Sequence, residues 1–209
     1  MQRIDPAGFP FIGGALAVAL VLAILVNWIA ALPFLALGAF CLFFFRDPER
    51  HPPSGEDLVL SPADGRVLVA GPAAADAAPA GRWQQVSVFL SPTDVHVNRV
   101  PVSGRVTRVS FTPGRFLPAY RDDAGTINER SEIWIDHQGQ TIVARQIVGI
   151  LARRVVCRLE TGAVVRAGDR YGIMKFGSRM DVFLPEKADI RVKVGDVVRA
   201  GETVIAMLH

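Results

Sequence analysis

A glycine–serine pair near the C-terminus, Gly177-Ser178, is the strongest candidate for chemistry in this sequence. It lies between two apolar runs that are typical of β-strands. Glycine leaves its carbonyl carbon unobstructed, and the serine hydroxyl can reach that carbonyl, so the pair permits attack on the chain itself as well as ordinary chemistry on a substrate. Most such pairs are turns in which glycine supplies an unusual backbone conformation. The pair alone therefore marks a position and does not identify a reaction.

The cysteines and histidines form no metal-binding pattern. Cys41 and Cys157 belong to no Cys-x-x-Cys or Cys/His cluster, so the sequence supports neither a zinc site nor a disulfide framework. The histidines are equally dispersed along the chain: His51, His96, His137 and His209. We therefore expect no bound metal.

The charge balance is mildly basic, with a net charge of +3 and a pI of about 9.2. The arginines are scattered through alternating strand patterns, whereas a nucleic-acid-binding protein usually collects them on one helix or beside an aromatic platform. An anionic membrane surface explains the excess equally well, and scattered solvated charge explains most individual arginines. We expect no nucleic-acid partner.

The N-terminal part of the chain is strongly apolar, with no charged residue between Phe9 and Phe45. A straight helix over residues 11–45 would be roughly 50 Å long, against a bilayer core of about 30 Å. The run must therefore break or tilt, and three residues near its middle favour a turn: Asn27, Trp28 and Pro33. The resulting helices would cover about 11–31 and 33–45.

These two apolar pieces predict a membrane-embedded, re-entrant hairpin with both ends on one side. Arg3 at one end and Arg46 and Arg50 at the other place those ends on the cytoplasmic side of a cell membrane by the positive-inside tendency. A single tilted span is the alternative, and it would put the remainder of the chain on the opposite side from Met1. The sequence does not decide between spanning and re-entry.

The rest of the chain is β-rich. Residues 1–45 form the membrane segment, 46–57 a proline-containing linker and 58–209 the folded domain, within which short valine-rich runs alternate with Gly, Pro and Asp turns. The predicted strands are Leu58–Leu60, Arg66–Ala70, Gln85–Leu90, Gly104–Phe111, Glu132–Asp136, Thr141–Gln146, Val155–Glu160, Met180–Leu184 and Ile190–Val194. The run Ile147–Ala152 is ambiguous. We predict a mainly β, barrel-sandwich-like domain preceded by a helical hairpin.

Three Gly- and Asp-containing units resemble the strand-turn-strand units of biotinyl and lipoyl barrels, around residues 61–67, 102–106 and 194–205. No lysine lies between them where a swinging cofactor would attach, so a carrier domain is disfavoured.

Six segments, taken together and in order, carry a more specific resemblance. They are Phe45-Arg46-Asp47-Pro48, Ser61-Pro62-Ala63-Asp64-Gly65, Asp94-Val95-His96-Val97-Asn98-Arg99-Val100-Pro101, Thr112-Pro113-Gly114-Arg115-Phe116, Asn128-Glu129-Arg130 and Lys175-Phe176-Gly177-Ser178. Read together they resemble the phosphatidylserine decarboxylases of the short bacterial and archaeal type, which depend on a pyruvoyl group and are made as self-cleaving proenzymes.

The resemblance implies a defined chemistry for the Gly-Ser pair. Ser178 would attack the Gly177 carbonyl, and β-elimination from the resulting ester would split the chain and leave a pyruvoyl group at position 178. The small chain, Ser178 to His209, would stay bound to the large chain. The pyruvoyl group would form a Schiff base with the substrate amine and accept the electrons released as carbon dioxide leaves. The product from phosphatidylserine would be phosphatidylethanolamine.

The resemblance also implies roles for three further residues. Asp64 matches a carboxylate of the self-cleavage relay, although a turn aspartate is the alternative. His96 matches a histidine that handles the substrate carboxylate and proton transfer. Arg99 stands where larger members carry a second histidine. Either His96 does both jobs, or self-cleavage proceeds by strain and oxyanion stabilisation while Arg99 binds phosphate or carboxylate.

Two weaker expectations concern the surroundings of the site. Tyr120 and Phe116 are candidates for lining a lipid entrance, and Asn128-Glu129-Arg130 for holding the wall of the site through an ion pair. The resemblance also suggests a homodimer, for which an open strand edge would supply a physical motive.

Two other functions remain open at this point. A membrane-anchored barrel-sandwich adaptor explains the hairpin and the Gly-Asp turns. A membrane serine hydrolase would use Ser178 with His96 and Asp64 and would keep an intact chain. The decarboxylase, in contrast, predicts two chains and no serine at position 178.

Overall fold

A computed structural model describes residues 3–150, 155–175 and 177–209. The chain divides into two units, Met1–Glu49 and Arg50–His209. Phe176 of the Lys175–Ser178 motif, and Leu151 and Ala152 of the ambiguous run, lie outside the described residues.

The helices are α1 (Phe9–Leu25), α2 (Trp28–Phe44) and α3 (Ala124–Ile127), and a 3₁₀ turn covers Pro6–Gly8. The strands are β1 (Arg3–Ile4), β2 (Arg46–Asp47), β3 (Leu58–Leu60), β4 (Gly65–Pro72), β5 (Trp83–Leu90), β6 (Val97–Arg99), β7 (Gly104–Thr112), β8 (Arg130–His137), β9 (Gln140–Ile147), β10 (Val155–Cys157), β11 (Val164–Val165), β12 (Arg170–Met174), β13 (Ser178–Pro185), β14 (Asp189–Ile190), β15 (Val197–Val198) and β16 (Val204–Met207).

The first unit is a helical hairpin whose two ends meet. Strands β1 and β2 pair antiparallel, with Arg3 opposite Asp47, so the chain leaves the hairpin beside the point where it enters. Phe44 is the one large buried side chain of the two helices, and the others are small: Ala15, Ala19, Ala31, Gly38 and Cys41. Small residues let two apolar helices approach closely. The predicted hairpin of two apolar helices is confirmed.

The turn lies earlier than the sequence predicted. Helix α1 ends at Leu25 and α2 begins at Trp28, because Asn27 has an extended backbone and its side chain accepts a hydrogen bond from Ala30 N at 3.0 Å. Pro33, which we expected to break the helix, lies inside α2. The predicted ranges 11–31 and 33–45 were therefore wrong in their bounds.

One stretch of the hairpin is long and apolar enough to cross a membrane. It runs from Pro6 to Leu25, with 20 residues and a mean hydropathy of 2.4. Helix α2 is equally apolar in character but shorter.

The second unit is built on one large antiparallel sheet with the strand order β11-β7-β8-β9-β13-β5-β4-β15. The sheet curls into a half-barrel. Two three-stranded sheets, β10-β12-β6 and β14-β16-β3, complete the unit. This confirms the predicted fold class, a mainly β domain that follows an apolar helical hairpin in the sequence.

The two faces of the large sheet differ because side chains alternate along each strand. One face carries the hydrophobic core, including Val86, Val88, Ile133, Met180 and Val182. The other face of β13 and its neighbours carries buried charges. There, Arg179 pairs with Asp181 at 2.6 Å and Arg145 pairs with Glu132 at 2.6 Å. Residue 178, one step before Arg179, therefore faces the core.

Most predicted strands are present with small changes in length. Strand β10 ends at Cys157 instead of Glu160, and β14 covers Asp189–Ile190 instead of 190–194. The predicted list lacked seven strands of the structure: β1, β2, β6, β11, β12, β15 and β16. Strand β6 was missed because its three residues Val97, Asn98 and Arg99 show no apolar alternation.

Candidate active site

Ser178 is the first residue of β13, a central strand that pairs with β5 on one side and β9 on the other. Ser178 is fully buried and lies opposite Leu90 of β5. Among the described residues, no atom forms a hydrogen bond with Ser178 Oγ. A buried hydroxyl without a partner is unusual, since it loses its hydrogen bonds to water and gains none in return. The nucleophile predicted from sequence is thus held in the core without competing bonds.

Gly177, the residue before it, has φ = +71°, a conformation that residues with a side chain rarely adopt. An added Cβ at this position would meet nothing within 4 Å. The Gly177 carbonyl oxygen lies against Gly149, so closely that a Cβ built on Gly149 would overlap it. The carbonyl of the Gly-Ser bond is therefore in contact with a second glycine, which is buried.

His96 lies directly before β6 and is fully buried. Its Nδ1 is 2.9 Å from the carbonyl oxygen of Asp94. Because a carbonyl only accepts, Nδ1 carries the proton and Nε2 is left as the basic nitrogen. The His96 carbonyl accepts a hydrogen bond from Met174 N at 3.2 Å, in the strand that leads to Gly177. His96 is therefore anchored by its backbone near the Gly-Ser bond.

Two buried amide side chains, one in the strand after His96 and one beside the strand that begins at Ser178, form a hydrogen bond. Gln146 Nε2 donates to Asn98 Oδ1 at 2.8 Å, and Gln146 lies directly opposite Met180 in β13. Residues two apart on a strand share a face. His96 lies two residues before Asn98, and Ser178 lies two residues before Met180.

The amide pair itself was missed by the sequence analysis. Asn98 and Gln146 are both buried, and within the described part of the chain Asn98 Nδ2 and Gln146 Oε1 have no hydrogen-bond partner. Gly172 makes room for them, because a Cβ there would come within 2.8 Å of Gln146 Nε2. Neither residue stands out in the sequence, because both strands contain other polar residues, such as Arg99 in β6 and Arg145 in β9.

Asp64 is engaged elsewhere. Its carboxylate forms a bidentate ion pair with Arg50, with Nη2 at 2.9 and 2.6 Å from the two oxygens, and Oδ1 also accepts from Ala200 N at 2.8 Å. Arg50 in turn donates to Glu202 at 3.2 Å. Asp64 thus links the start of the second unit to the turn before β16, and its contacts are with these groups.

The Glu202 carboxylate belongs to the same cluster. Burial raises its pKa, but the hydrogen bonds from His51 N and from Arg50 outweigh burial and lower the pKa below its ordinary value of 4.5. The carboxylate is therefore held in its charged form.

Arg99 lines a separate cavity of about 470 Å³ together with Arg50 and Arg170. Its Nη1 donates to the Gly168 carbonyl at 2.9 Å. Arg99 pairs with Arg170 at one end of β12, whereas the other end leads to Gly177. The Arg99 side chain thus lines a different cavity from the one beside the Gly-Ser bond.

The cavity at the Gly-Ser bond has a volume of about 350 Å³ and is predominantly apolar. It is lined by Phe89, Pro92, Pro118, Ala119, Tyr120, Ile150 and Gly177. Tyr120 is 62% exposed and its ring packs edge-on against Phe89 at 5.9 Å. The structure therefore brings Tyr120 to Gly177. Phe116 is exposed at 39% and is not among the residues lining this cavity.

Asn128 holds the wall of this cavity with its amide. It donates to the carbonyls of Leu117 and Val148, both at 2.8 Å, and accepts from Leu117 N at 3.0 Å. We expected an ion pair from Asn128-Glu129-Arg130, and among the described contacts these residues form none. The amide ties the 117 segment to the turn that contains Gly149.

Tyr171 lies in the core, and its phenol does not act as a base. Its hydroxyl contacts Met180 Sδ at 3.7 Å, and burial raises the pKa of the phenol well above its ordinary value of 10.0. The phenol stays protonated at neutral pH.

Gly149 is the second contact that the sequence analysis did not identify. It lies in the apolar run 147–152, which we left ambiguous. An isolated glycine in a strand-like run indicates a close backbone approach. That signal was present, but the approaching partner is 28 positions away in sequence and only the fold reveals it.

Comparison with known proteins gives a consistent result. The family model described as "Phosphatidylserine decarboxylase" matches residues 37–206. A protein from Granulibacter bethesdensis is 47% identical over 97% of this chain and 84% of its own. One from Oleidesulfovibrio alaskensis is 45% identical over 98% of this chain and 94% of its own, and one from Nitratidesulfovibrio vulgaris is 42% identical over 97% and 94%. Each of the three is named "Phosphatidylserine decarboxylase proenzyme".

Proposed function

Because this chain belongs to the phosphatidylserine decarboxylase family, we propose that it converts phosphatidylserine to phosphatidylethanolamine after cleaving itself between Gly177 and Ser178. One observation carries the proposal. The Ser178 hydroxyl is buried without a described partner, directly after a glycine whose backbone has a positive φ. That arrangement costs stability and serves no packing purpose, and such exceptions are concentrated at functional sites.

Self-cleavage begins with the Ser178 Oγ lone pair attacking the Gly177 carbonyl carbon. The Gly177–Ser178 C–N bond breaks, an ester forms on Oγ, and the hydroxyl proton ends on the freed amine. Removal of the Ser178 Cα proton then expels the Gly177 carboxylate and leaves dehydroalanine. Addition of one water releases ammonia and leaves a pyruvoyl group on the chain that begins at position 178.

The residues present fit such a group. It would form where a buried polar atom has no described partner, next to an apolar cavity that reaches Gly177. The pyruvoyl group supplies a ketone that condenses with the substrate amine and accepts the electrons left when carbon dioxide departs. The cavity supplies a dry, apolar wall for the glycerol and acyl part of a lipid, and Tyr120 stands at its exposed side.

His96 is the residue we assign to proton transfer in both stages. The Asp94 carbonyl fixes its Nδ1 as the donor, so in the neutral imidazole Nε2 is the nitrogen that accepts a proton. Nε2 can then take the Ser178 hydroxyl proton during self-cleavage and hold a proton for the product during decarboxylation. The contacts of Asp64 with Arg50 and Ala200, and those of Arg99 in the other cavity, favour a single histidine with both jobs.

Asp64 then acts indirectly. Its carboxylate fixes Arg50 and the Ala200 turn, beside the segment whose Pro62 carbonyl accepts from Arg99 N at 2.9 Å. We assign Asp64 to positioning the start of β4 and the end of β6. Arg99 is one of three arginines that line its cavity, with Arg50 and Arg170.

The hairpin would place the enzyme at its substrate. Pro6–Leu25 is long and apolar enough to enter a bilayer, and the two ends of the hairpin pair with each other. We place these ends, with Arg3 and Arg46, on the cytoplasmic side by the positive-inside tendency. The small chain stays bound after cleavage because β13 lies between β5 and β9.

Intact mass of the denatured protein tests the proposal. We expect two chains split at Gly177/Ser178, the smaller lacking a normal amino terminus and gaining the mass of the lipid when phosphatidylserine and cyanoborohydride are added. Ser178→Ala should leave one chain, and the control Ser91→Ala, a half-buried loop serine whose hydroxyl bonds to Thr93, should cleave normally. A single chain from catalytically active wild-type protein would refute the mechanism.

His96→Ala tests whether His96 acts in self-cleavage, the first of the two stages. We expect little cleavage, and addition of imidazole should restore part of it because a small base can occupy the space left by the ring. His137→Ala is the matched control, since His137 is also buried and its Nδ1 also bonds to a carbonyl, that of Ser103, at 2.7 Å. Normal cleavage in His96→Ala would remove His96 from the first stage.

A further inference from the structure

We propose that Gly149 is a positioning residue for self-cleavage: its contact with the Gly177 carbonyl oxygen holds the Gly177–Ser178 peptide in the orientation that Ser178 attacks. The inference rests on the proposed function, because it concerns the same bond. It adds a residue that lies far from the Gly-Ser pair in sequence and that carries no side chain.

The contact requires the absence of a side chain. A Cβ at Gly149 would overlap the Gly177 oxygen, come within 3.0 Å of the Gly177 carbonyl carbon and reach 3.5 Å from Ala119 Cβ. The two nearest atoms are backbone, so no flexible side chain can move aside. The hydrogen that occupies the Cβ direction therefore points at the carbonyl oxygen, the geometry of a weak Cα–H···O contact.

The two residues before Gly149 are fixed by contacts with other segments of the chain. Before it, Ile147 pairs with Arg179 of β13, directly beside Ser178. Val148 N donates to Glu129 O at 3.1 Å, and Val148 O accepts from the Asn128 amide at 2.8 Å. Gly149 is thus held in register with the strand that begins at the nucleophile, and it cannot drift from the carbonyl without breaking these bonds.

This contact determines the orientation of the peptide plane. The hydroxyl must approach the carbonyl carbon from above the plane, so a rotation of the plane about its flanking bonds misaligns the attack. A fixed atom against the oxygen opposes that rotation. Within residues 3–150, 155–175 and 177–209, the Gly149 N–H donates to no acceptor, so it is available as negative charge develops on the neighbouring oxygen.

Gly149→Ala tests the role directly. The added methyl displaces the carbonyl, and a misplacement of about 1 Å costs on the order of 100-fold in rate; we therefore expect self-cleavage to slow by at least that factor. Gly125→Ala is the matched control. Gly125 is also buried and near the site, but its added Cβ would make only ordinary contacts, at 3.5 Å from Asp181 Oδ2. The control should cleave at the wild-type rate.

Hydroxylamine provides a readout that a general loss of stability would not reproduce. It cleaves the ester formed by Ser178, so a variant blocked only at elimination still splits in its presence. We expect Gly149→Ala, with a wild-type circular dichroism spectrum, to remain intact in hydroxylamine because the ester does not form. Cleavage by hydroxylamine at the wild-type rate would overturn the inference, as would spontaneous cleavage within threefold of wild type.

A second variant decides the matter if Gly149→Ala does not fold. Asn128→Ala releases the Val148 carbonyl and loosens the turn without adding an atom. We expect cleavage to slow about 10-fold, with a matching fall in hydroxylamine-trapped ester, and unchanged cleavage would count against the role of the turn. The wild-type chain is measured in parallel: no cleavage there would refute the proposed function itself, whereas cleavage in wild type and in both variants would refute only the role of Gly149.

Discussion

Replacing Gly177 by alanine isolates the contribution of one backbone angle to self-cleavage. At φ = +71° the backbone conformation of an alanine is about 1–2 kcal/mol higher in free energy than that of a glycine. No atom lies within 4 Å of the added Cβ, so no steric term is added among the described residues. The population that holds the reactive geometry should fall by the same free energy, which corresponds to about 5- to 30-fold. We therefore expect Gly177→Ala to cleave slowly but to completion.

The rate is measured by synthesising the chain in a cell-free system with vesicles and following the appearance of the small chain on denaturing gels. Gly177→Val provides the graded comparison, because a β-branched residue is a stronger outlier at positive φ and also crowds the carbonyl. We expect the order wild type, alanine, valine. Cleavage of Gly177→Ala at the wild-type rate would show that the reaction does not use the φ = +71° conformation, and complete blockage in a folded chain would show a constraint other than φ.

Three further predictions concern the surroundings of the site. Tyr120→Ala should raise KM for phosphatidylserine vesicles several-fold without changing self-cleavage, because Tyr120 lines the cavity beside Gly177; an effect on cleavage alone would contradict this. Asp64→Asn should lower the melting temperature, because it weakens a largely buried pair with Arg50, while folded protein still cleaves; lost cleavage at an unchanged melting temperature would instead place Asp64 in the relay. Glu202→Gln should destabilise the protein at neutral pH only. The pKa of Glu202 is lower in the folded protein than in the unfolded chain, where it is near 4.5. The stabilisation by Glu202 is therefore present above pH 4.5 and disappears as the pH falls through the folded pKa. A melting-temperature difference between variant and wild type that persists at lower pH would be inconsistent with this.

The sequence predicted what depends on local pattern. Alternation of apolar residues identified most strands, and the uncharged stretch before Phe45 identified the hairpin. The turn of the hairpin was misplaced because proline was given more weight than asparagine. Asn27 has an extended backbone that ends the path of α1, and its side chain caps α2. Pro33 only removes one backbone N–H donor from α2, a helix that the apolar surroundings otherwise favour.

The partners of the site could not be predicted, because they depend on register between distant strands. The contact of Gly149 with Gly177 requires that β9 and β13 be neighbours, and the amide pair Asn98 and Gln146 requires that β6 cross the same layer. Neither adjacency leaves a periodic signal. The same holds for Asp64, whose motif is recognisable in sequence but whose ion pair with Arg50 depends on folding of the segment before β3.

The position of Arg99 bears on the choice that the sequence left open. His96 and Arg99 are three residues apart, and side chains an odd number of residues apart on a strand point to opposite faces. Arg99 accordingly lines the cavity shared with Arg50 and Arg170, while His96 lies at the end of β6 that faces Met174 and the Gly-Ser bond. These positions favour the proposal in which His96 alone serves both stages, since Arg99 lines the other cavity.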